Sequence, residues 1–129
     1  MTQVKEILAE GKKDDADKLD RYDLIPPETL RVLAELYGRG AQKYADRNWE
    51  KGISYSRIYR ALLSHLEKWR MGEDWDPEGQ HHLDSVIWNA FALRTYEARE
   101  MGLSFDNLRV AQPLKKERPV DFSIYDFDI

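Results

Sequence analysis

The sequence predicts an all-α fold, and three observations carry that expectation. Apolar residues recur every three or four positions over three long segments, the period of helices with one buried face. Proline, glycine and serine punctuate the chain between those segments. No convincing strand pattern occurs in the first hundred residues. The expected architecture is an antiparallel bundle of three long helices plus a short N-terminal helix, with an extended C-terminal tail. Residues 1–111 are read as the helical domain and residues 112–129 as the tail.

The short amphipathic helix is expected from about Thr2 to Glu10, stopped by Gly11. The lead-in "KKDDADKLDRYDL" is too densely charged to form core, and Tyr22, Leu24 and Ile25 are its expected anchors. "IPPE" announces the first long helix, about Pro27 to Tyr44: Pro27 suits the first turn and Glu28 its positive end. Leu30, Leu33, Ala34, Tyr37 and Ala41 mark its apolar face, while Gly38 and Gly40 weaken it and permit close approach to its backbone. "ADRNWEKGISYS" reads as a loop. Ser54 or Ser56 then caps a second helix, about Tyr55 to Met71, with Ile58, Leu62, His65 and Trp69 on one face. "GEDWDPEGQ" is a compact turn. A third helix is expected from about Gln80 to Met101, ended by Gly102. The tail "ERPVDFSIYDFDI" alternates apolar and acidic residues, as an arm or edge strand would.

The 129 residues suffice for one domain with a modest core. Charged residues make up 34% of the chain, and no run approaches the roughly 20 apolar residues that span a bilayer, so a membrane protein is not expected. The N-terminus lacks the apolar stretch of a secretory signal, and there is no cysteine to form disulfides or ligate zinc. A cytoplasmic protein fits. A formal net charge of −4 argues against binding a long nucleic acid, although a single nucleotide needs only local positive charge.

Two clusters carry possible chemistry. The first is "GAQKYADRNWEKG", which combines the cations Lys43, Arg47 and Lys51 with the flat rings of Tyr44 and Trp49 and the amide of Asn48. Cations meet phosphates, an aromatic face stacks on a base and an amide reads a base edge; Arg57 and Arg60 would extend the phosphate side. The bland alternative is that Tyr44 and Trp49 plug the end of the bundle while the cations are solvated. The second cluster gathers all three histidines, His65, His81 and His82, with Glu67, Glu73, Asp74, Asp76 and Asp84. Carboxylates with one or two imidazoles suit Mg²⁺, Mn²⁺ or Co²⁺, and such an ion could activate a water. Its alternative is a set of satisfied core histidines. Asn89, on the most apolar helix, either fixes helix register or touches a ligand. There is no glycine-rich phosphate loop, and the nearest approach to an adjacent His-Asp pair is His82, Leu83, Asp84.

"KKDDADKLDRYDLIPPETL", "YGRGAQKYADRNWEKG", "RALLSHLEKW", "GEDWDPEG" and "HHLDSVIWNA" together resemble a phage family, the N-terminal domain of dATP/dGTP diphosphohydrolase. The resemblance runs from about Gly11 to Glu97. It implies a small all-α protein similar in plan to the MazG-like pyrophosphatases, which release a monophosphate and pyrophosphate using divalent metal held by carboxylates on two helices. Those enzymes carry Glu-x-x-Glu and Glu-x-x-Asp; this chain offers His65 and Glu67 on the second helix and, on the third, His81-x-x-Asp84, or His82-x-x-Ser85 if "SVIW" is laid on their "DVLW".

The expected function is therefore metal-dependent hydrolysis of purine deoxynucleoside triphosphates. His65, Glu73, His82 and Asp84 would hold Mg²⁺, Mn²⁺ or Co²⁺, with Glu73 and His82 activating water. Lys43, Arg47, Lys51, Arg57 and Arg60 would hold phosphates, and Tyr44, Asn48, Trp49 and Asn89 would position the nucleotide. Nucleotide sequestration without cleavage and an oligomeric interaction module are the competing classes. Trp88, Phe91 and Tyr96 lie on several faces of one helix, so a homo-oligomer, at least a dimer, is expected.

Overall fold

The computed structural model describes residues 10–14, 17–101 and 108–109. Of the expected short helix, Thr2 to Glu10, residues 2–9 lie outside the described residues, as does the tail from residue 112 onward. Residues Ile25–Gln112 make one compact unit. Before it, Tyr22–Leu24 form a single 3-10 turn. Tyr22 and Leu24 are both exposed.

Within the compact unit three helices follow in order: α1 Pro27–Lys43, α2 Tyr55–Arg70 and α3 His82–Ala98. No strand occurs among the described residues, where the extended pairing is an isolated bridge between Trp75 and His81. No helix among them is long and apolar enough to cross a membrane. α1 begins at Pro27, whose fixed φ suits the first turn. Ser54 occupies the cap position of α2, but its hydroxyl makes no capping bond; its carbonyl accepts from Arg57 and Ile58 instead. Arg70, one turn after Glu67, pairs with its carboxylate at the basic end of α2.

Both α2 and α3 end in Schellman turns. At α2, the Gly72 amide donates to Trp69 and the Glu73 amide to Lys68, with Gly72 at φ +96°. At α3, the Glu100 amide donates to Glu97 and the Met101 amide to Tyr96. Glu100 takes the left-handed position at φ +55°, so the helix stops before the expected Gly102.

α3 packs on both α2 and α1, whereas α1 and α2 scarcely meet. The apolar core is concentrated where the C-terminal half of α3 meets the start of α2: Tyr55, Ile58, Ala92 and Tyr96 are buried, with Trp49, Ile53, Leu93 and Met101 against them. Ala92 is fully buried, and its lack of bulk lets the helices close together. The Tyr96 hydroxyl donates to the Trp49 carbonyl at 2.5 Å, tying the α1–α2 loop to α3. Trp69, expected on the inner face of α2, is instead exposed beside Tyr59, Leu63 and Leu66. Tyr96 is fully buried, Trp88 is partly buried against the core, and Phe91 is exposed.

Candidate functional site

Along its buried stripe α3 changes character. Ala92 and Tyr96 supply core, while one, two and three turns earlier the same stripe carries Asn89, Ser85 and His82, all buried. Burying polar groups costs free energy unless they are hydrogen-bonded. The Asn89 Nδ2 donates to the Ser85 carbonyl at 2.7 Å, which leaves its Oδ1 to face the cleft. Because α1 and α2 both lean on α3 without closing on each other, clefts open above this polar half.

His82 lies at the centre of a chain of side chains. Its Nε2 is 2.7 Å from Glu73 Oε2, and its Nδ1 is 2.9 Å from His65 Nδ1. The Schellman turn at Gly72 is what brings Glu73 back to the helix start. The His82 amide also donates to the Asp74 carbonyl. His81 has a separate job: its Nδ1 accepts from the Leu83 amide at 3.0 Å and so caps α3, while its ring meets Trp75 edge-on. Asp76 shapes the turn by accepting the amides of Glu78 and Gln80. Burial alone would raise its pKa; those amides, with His82 and His65 nearby, outweigh burial and hold the carboxyl below its usual range. Burial, then the proximity of His82 and Lys68, lowers the pKa of His65.

Three open cavities surround this half of α3. One, of about 400 Å³, lies between all three helices and is lined by Arg39, Gly40, Lys43, His65, Ser85 and Asn89. A second, of about 420 Å³, brings together Tyr44, Arg47, Asn48 and Trp49 from the loop; it shares Gly40 and Trp88 with the first. A third, of about 500 Å³, is lined by Arg57, Arg60, Ser64 and Lys68 and shares His65 and Asn89 with the first. Arg57, Arg60 and Lys68 make no ion pair with any described residue, so their charge is free for an anion.

The expected residues are thus partly gathered. Tyr44, Asn48 and Trp49 share a cavity, but Trp49 is also a packed wall, with the rings of Tyr37, Trp88 and Tyr96 within about 6 Å of it. Tyr44 is exposed, with Lys43 Nζ 5.5 Å from its ring centre. Arg47 sits at φ +60° and pairs with Glu50 at 3.0 Å; Arg99 holds the same carboxylate at 2.7 Å, and these pairs lower the Glu50 pKa, Arg99 foremost. Lys51 lines none of the three cavities.

The four expected metal ligands do not converge as a cage. Both ring nitrogens of His82 are engaged by neighbours, so it has no lone pair left for a cation. Asp84 makes no hydrogen bond to the other three and sits in the first turn of α3, where the helix dipole favours it. Among the described residues no group of three His, Asp or Glu side chains is placed to hold a metal ion.

Sequence reasoning missed Arg39 and Lys68. Lys68 had a signal: Arg57, Ser64 and Lys68 follow at helical spacing along α2, next to His65. Arg39 had none, since its position depends on how α1 lies against the α2–α3 turn, where it donates to the Glu78 carbonyl at 3.2 Å.

No curated protein and no solved structure matches the chain. The family model described as dATP/dGTP diphosphohydrolase, N-terminal, matches residues 9–106, which is most of the sequence. The chain belongs to that family.

Proposed function

We propose that this chain hydrolyses purine deoxynucleoside triphosphates, dATP or dGTP, to the monophosphate and pyrophosphate. The family carries the name of that activity. The observation that carries the reading here is a division of labour between two cavities that both adjoin the central one, the first through Gly40 and Trp88 and the second through His65 and Asn89. An aromatic and amide-lined cavity lies on the loop side, and a cavity with three unpaired cations lies on the α2 side. A purine wants the first, for stacking and edge recognition. A triphosphate wants the second, because Arg57, Arg60 and Lys68 supply charge and forked donors.

Mg²⁺, or Mn²⁺ or Co²⁺ in its place, enters this reading as part of the substrate, the metal complex of the triphosphate. Mg²⁺ characteristically keeps several waters and binds through substrate phosphates with only one or two carboxylates. The protein's own residues bind and orient: Arg57, Arg60 and Lys68 neutralise phosphate charge, and Asn89 Oδ1 offers an acceptor where the cation-lined cavity meets the central one. Homo-oligomerisation belongs to the same proposal, supported by the exposed apolar stripe Tyr59, Leu63, Leu66 and Trp69 on α2. So does a role in nucleotide-pool control in the cytoplasm of a phage-infected host.

The test is incubation with dATP, dGTP and the pyrimidine dNTPs, each with Mg²⁺, Mn²⁺, Co²⁺ or EDTA, followed by chromatography. The purine monophosphate and pyrophosphate are expected to appear only with metal. Recovery of intact nucleotide, with a raised Tm, would overturn hydrolysis in favour of sequestration. That second reading draws on the lack of a three-ligand group among the described residues. A ligand at about 100 times its Kd adds roughly 2.7 kcal/mol of stability, so binding alone is easily seen.

A further inference from the structure

The Glu73–His82–His65 chain assigns its own protons. An ionised Glu73 only accepts, so His82 Nε2 must carry the hydrogen it shares at 2.7 Å. A neutral His82 then presents a bare Nδ1, and His65 must donate its Nδ1–H across the 2.9 Å contact. The Nε2 of His65 is left without a proton. It also has no hydrogen-bond partner, and every fully buried side-chain nitrogen or oxygen among the described residues has one. That Nε2 is therefore reachable, on a ring that lines both the Arg39 and the Arg57 cavities.

We propose that Glu73, His82 and His65 form a proton relay in which His65 Nε2 is the general base toward the cleft. The proposal rests on the hydrolytic reading for its substrate. The attacking water loses a proton to His65 Nε2 as its oxygen bonds to phosphorus, and the bond from phosphorus to the departing phosphate oxygen breaks with its electron pair. The Nδ1 proton of His65 passes to His82 Nδ1. His65 ends neutral with an Nε2–H, and the positive charge rests on His82, which is 1% exposed and paired with the Glu73 carboxylate. The proton on His82 Nδ1 then returns to His65 Nδ1 as the Nε2 proton of His65 is released to solvent, which resets the chain. The arrangement follows the logic of a base oriented by a third group, with a second imidazole inserted between base and carboxylate.

His65 is the catalytic residue in this scheme, and His82 and Glu73 are positioning residues. The first measurement is ¹⁵N NMR of the imidazoles in the full chain at about pH 8, above the ordinary imidazole range. His65 is expected as the Nδ1–H tautomer, the opposite of the preference of a free imidazole side chain. An Nε2–H form at His65 would overturn the relay whatever the enzyme does.

The second measurement is turnover of Glu73→Gln. Glu73 is half-exposed, and glutamine keeps its shape and its ability to accept from His82, so a purely structural role would survive. Removing the charge is expected to lower kcat on the order of 10²-fold with KM unchanged. Wild-type turnover by Glu73→Gln would overturn the relay while leaving hydrolysis standing. An Nδ1–H tautomer in a wild-type protein that cuts no nucleotide would instead sink the hydrolytic reading, and His65's role as a base with it.

Discussion

The two halves of α3 bury the same face of one helix and use it for opposite ends. From Ala92 to Tyr96 the stripe is packed shut against Tyr55 and Ile58. From His82 to Asn89 it is polar, internally hydrogen-bonded, and roofed by clefts instead of side chains. Substitutions in the C-terminal half should therefore act on stability, and those in the N-terminal half on turnover. One helix thus divides by which neighbours close over it.

The sharpest way to break that division is Tyr96→Ala. Losing a fully buried ring that also anchors the α1–α2 loop should cost about 3–5 kcal/mol in urea unfolding. A variant destabilised by less than about 1 kcal/mol would mean the core lies elsewhere. On the other side, His65→Ala should reduce kcat by about 10²- to 10⁴-fold while the fold persists, as far-UV circular dichroism would show. If instead it unfolds the protein and leaves the residual activity per folded molecule intact, the polar half is core.

A smaller effect comes from pH. His65 has a lowered pKa because of burial, His82 and Lys68, with Asp76 opposing. The unfolded chain therefore binds a proton on His65 at a higher pH than the native state does. Its contribution to stability is complete above the unfolded value near 6.5 and is lost as the pH falls toward the native one. Tm measured between pH 8 and 5 should fall less steeply in His65→Gln than in wild type. Equal slopes would remove His65 from the account of acid sensitivity.

The smallest effects sharpen the comparison without damaging either half. Gly38 and Gly40 both have open space where a Cβ would go, so alanine at either should stabilise α1 by about 0.5–1 kcal/mol. Only Gly40 lines the cavities, so Gly40→Ala alone should raise KM. Glu100→Gly should add about 1 kcal/mol by relieving the left-handed position at the end of α3, with kcat unchanged.

Much of this was legible in the sequence. Pro27, the Ser54 position and the 3.6-residue periodicity place the long helices within a few residues of where they lie, because these signals are local. The inward direction of His65 was legible from Leu62 and Ile58 beside it. Other features were not, for physical reasons. Which of His81 and His82 caps the helix and which joins Glu73 depends on a one-residue register set by the Asp76 turn and the Trp75 bridge. That Arg99 shares the Glu50 carboxylate with Arg47 depends on a contact between residues far apart in sequence. The end of α3 at a left-handed glutamate defeated the expectation of glycine, since Met101 packing on the core offsets the strain.

A nucleotide lying against the polar half of α3 is what all the functional assignments above require. Its most direct test is NMR titration of the wild-type protein with α,β-methylene-dGTP and Mg²⁺, following the Asn89 side-chain amide, the His65 ring and the indoles. Saturable shifts are expected at Asn89 and His65 together with the Trp49 and Trp88 indoles. Shifts confined to Trp49 and its loop, or none at any concentration, would contradict that placement and return His82, Ser85 and Asn89 to the role of a hydrogen-bonded core.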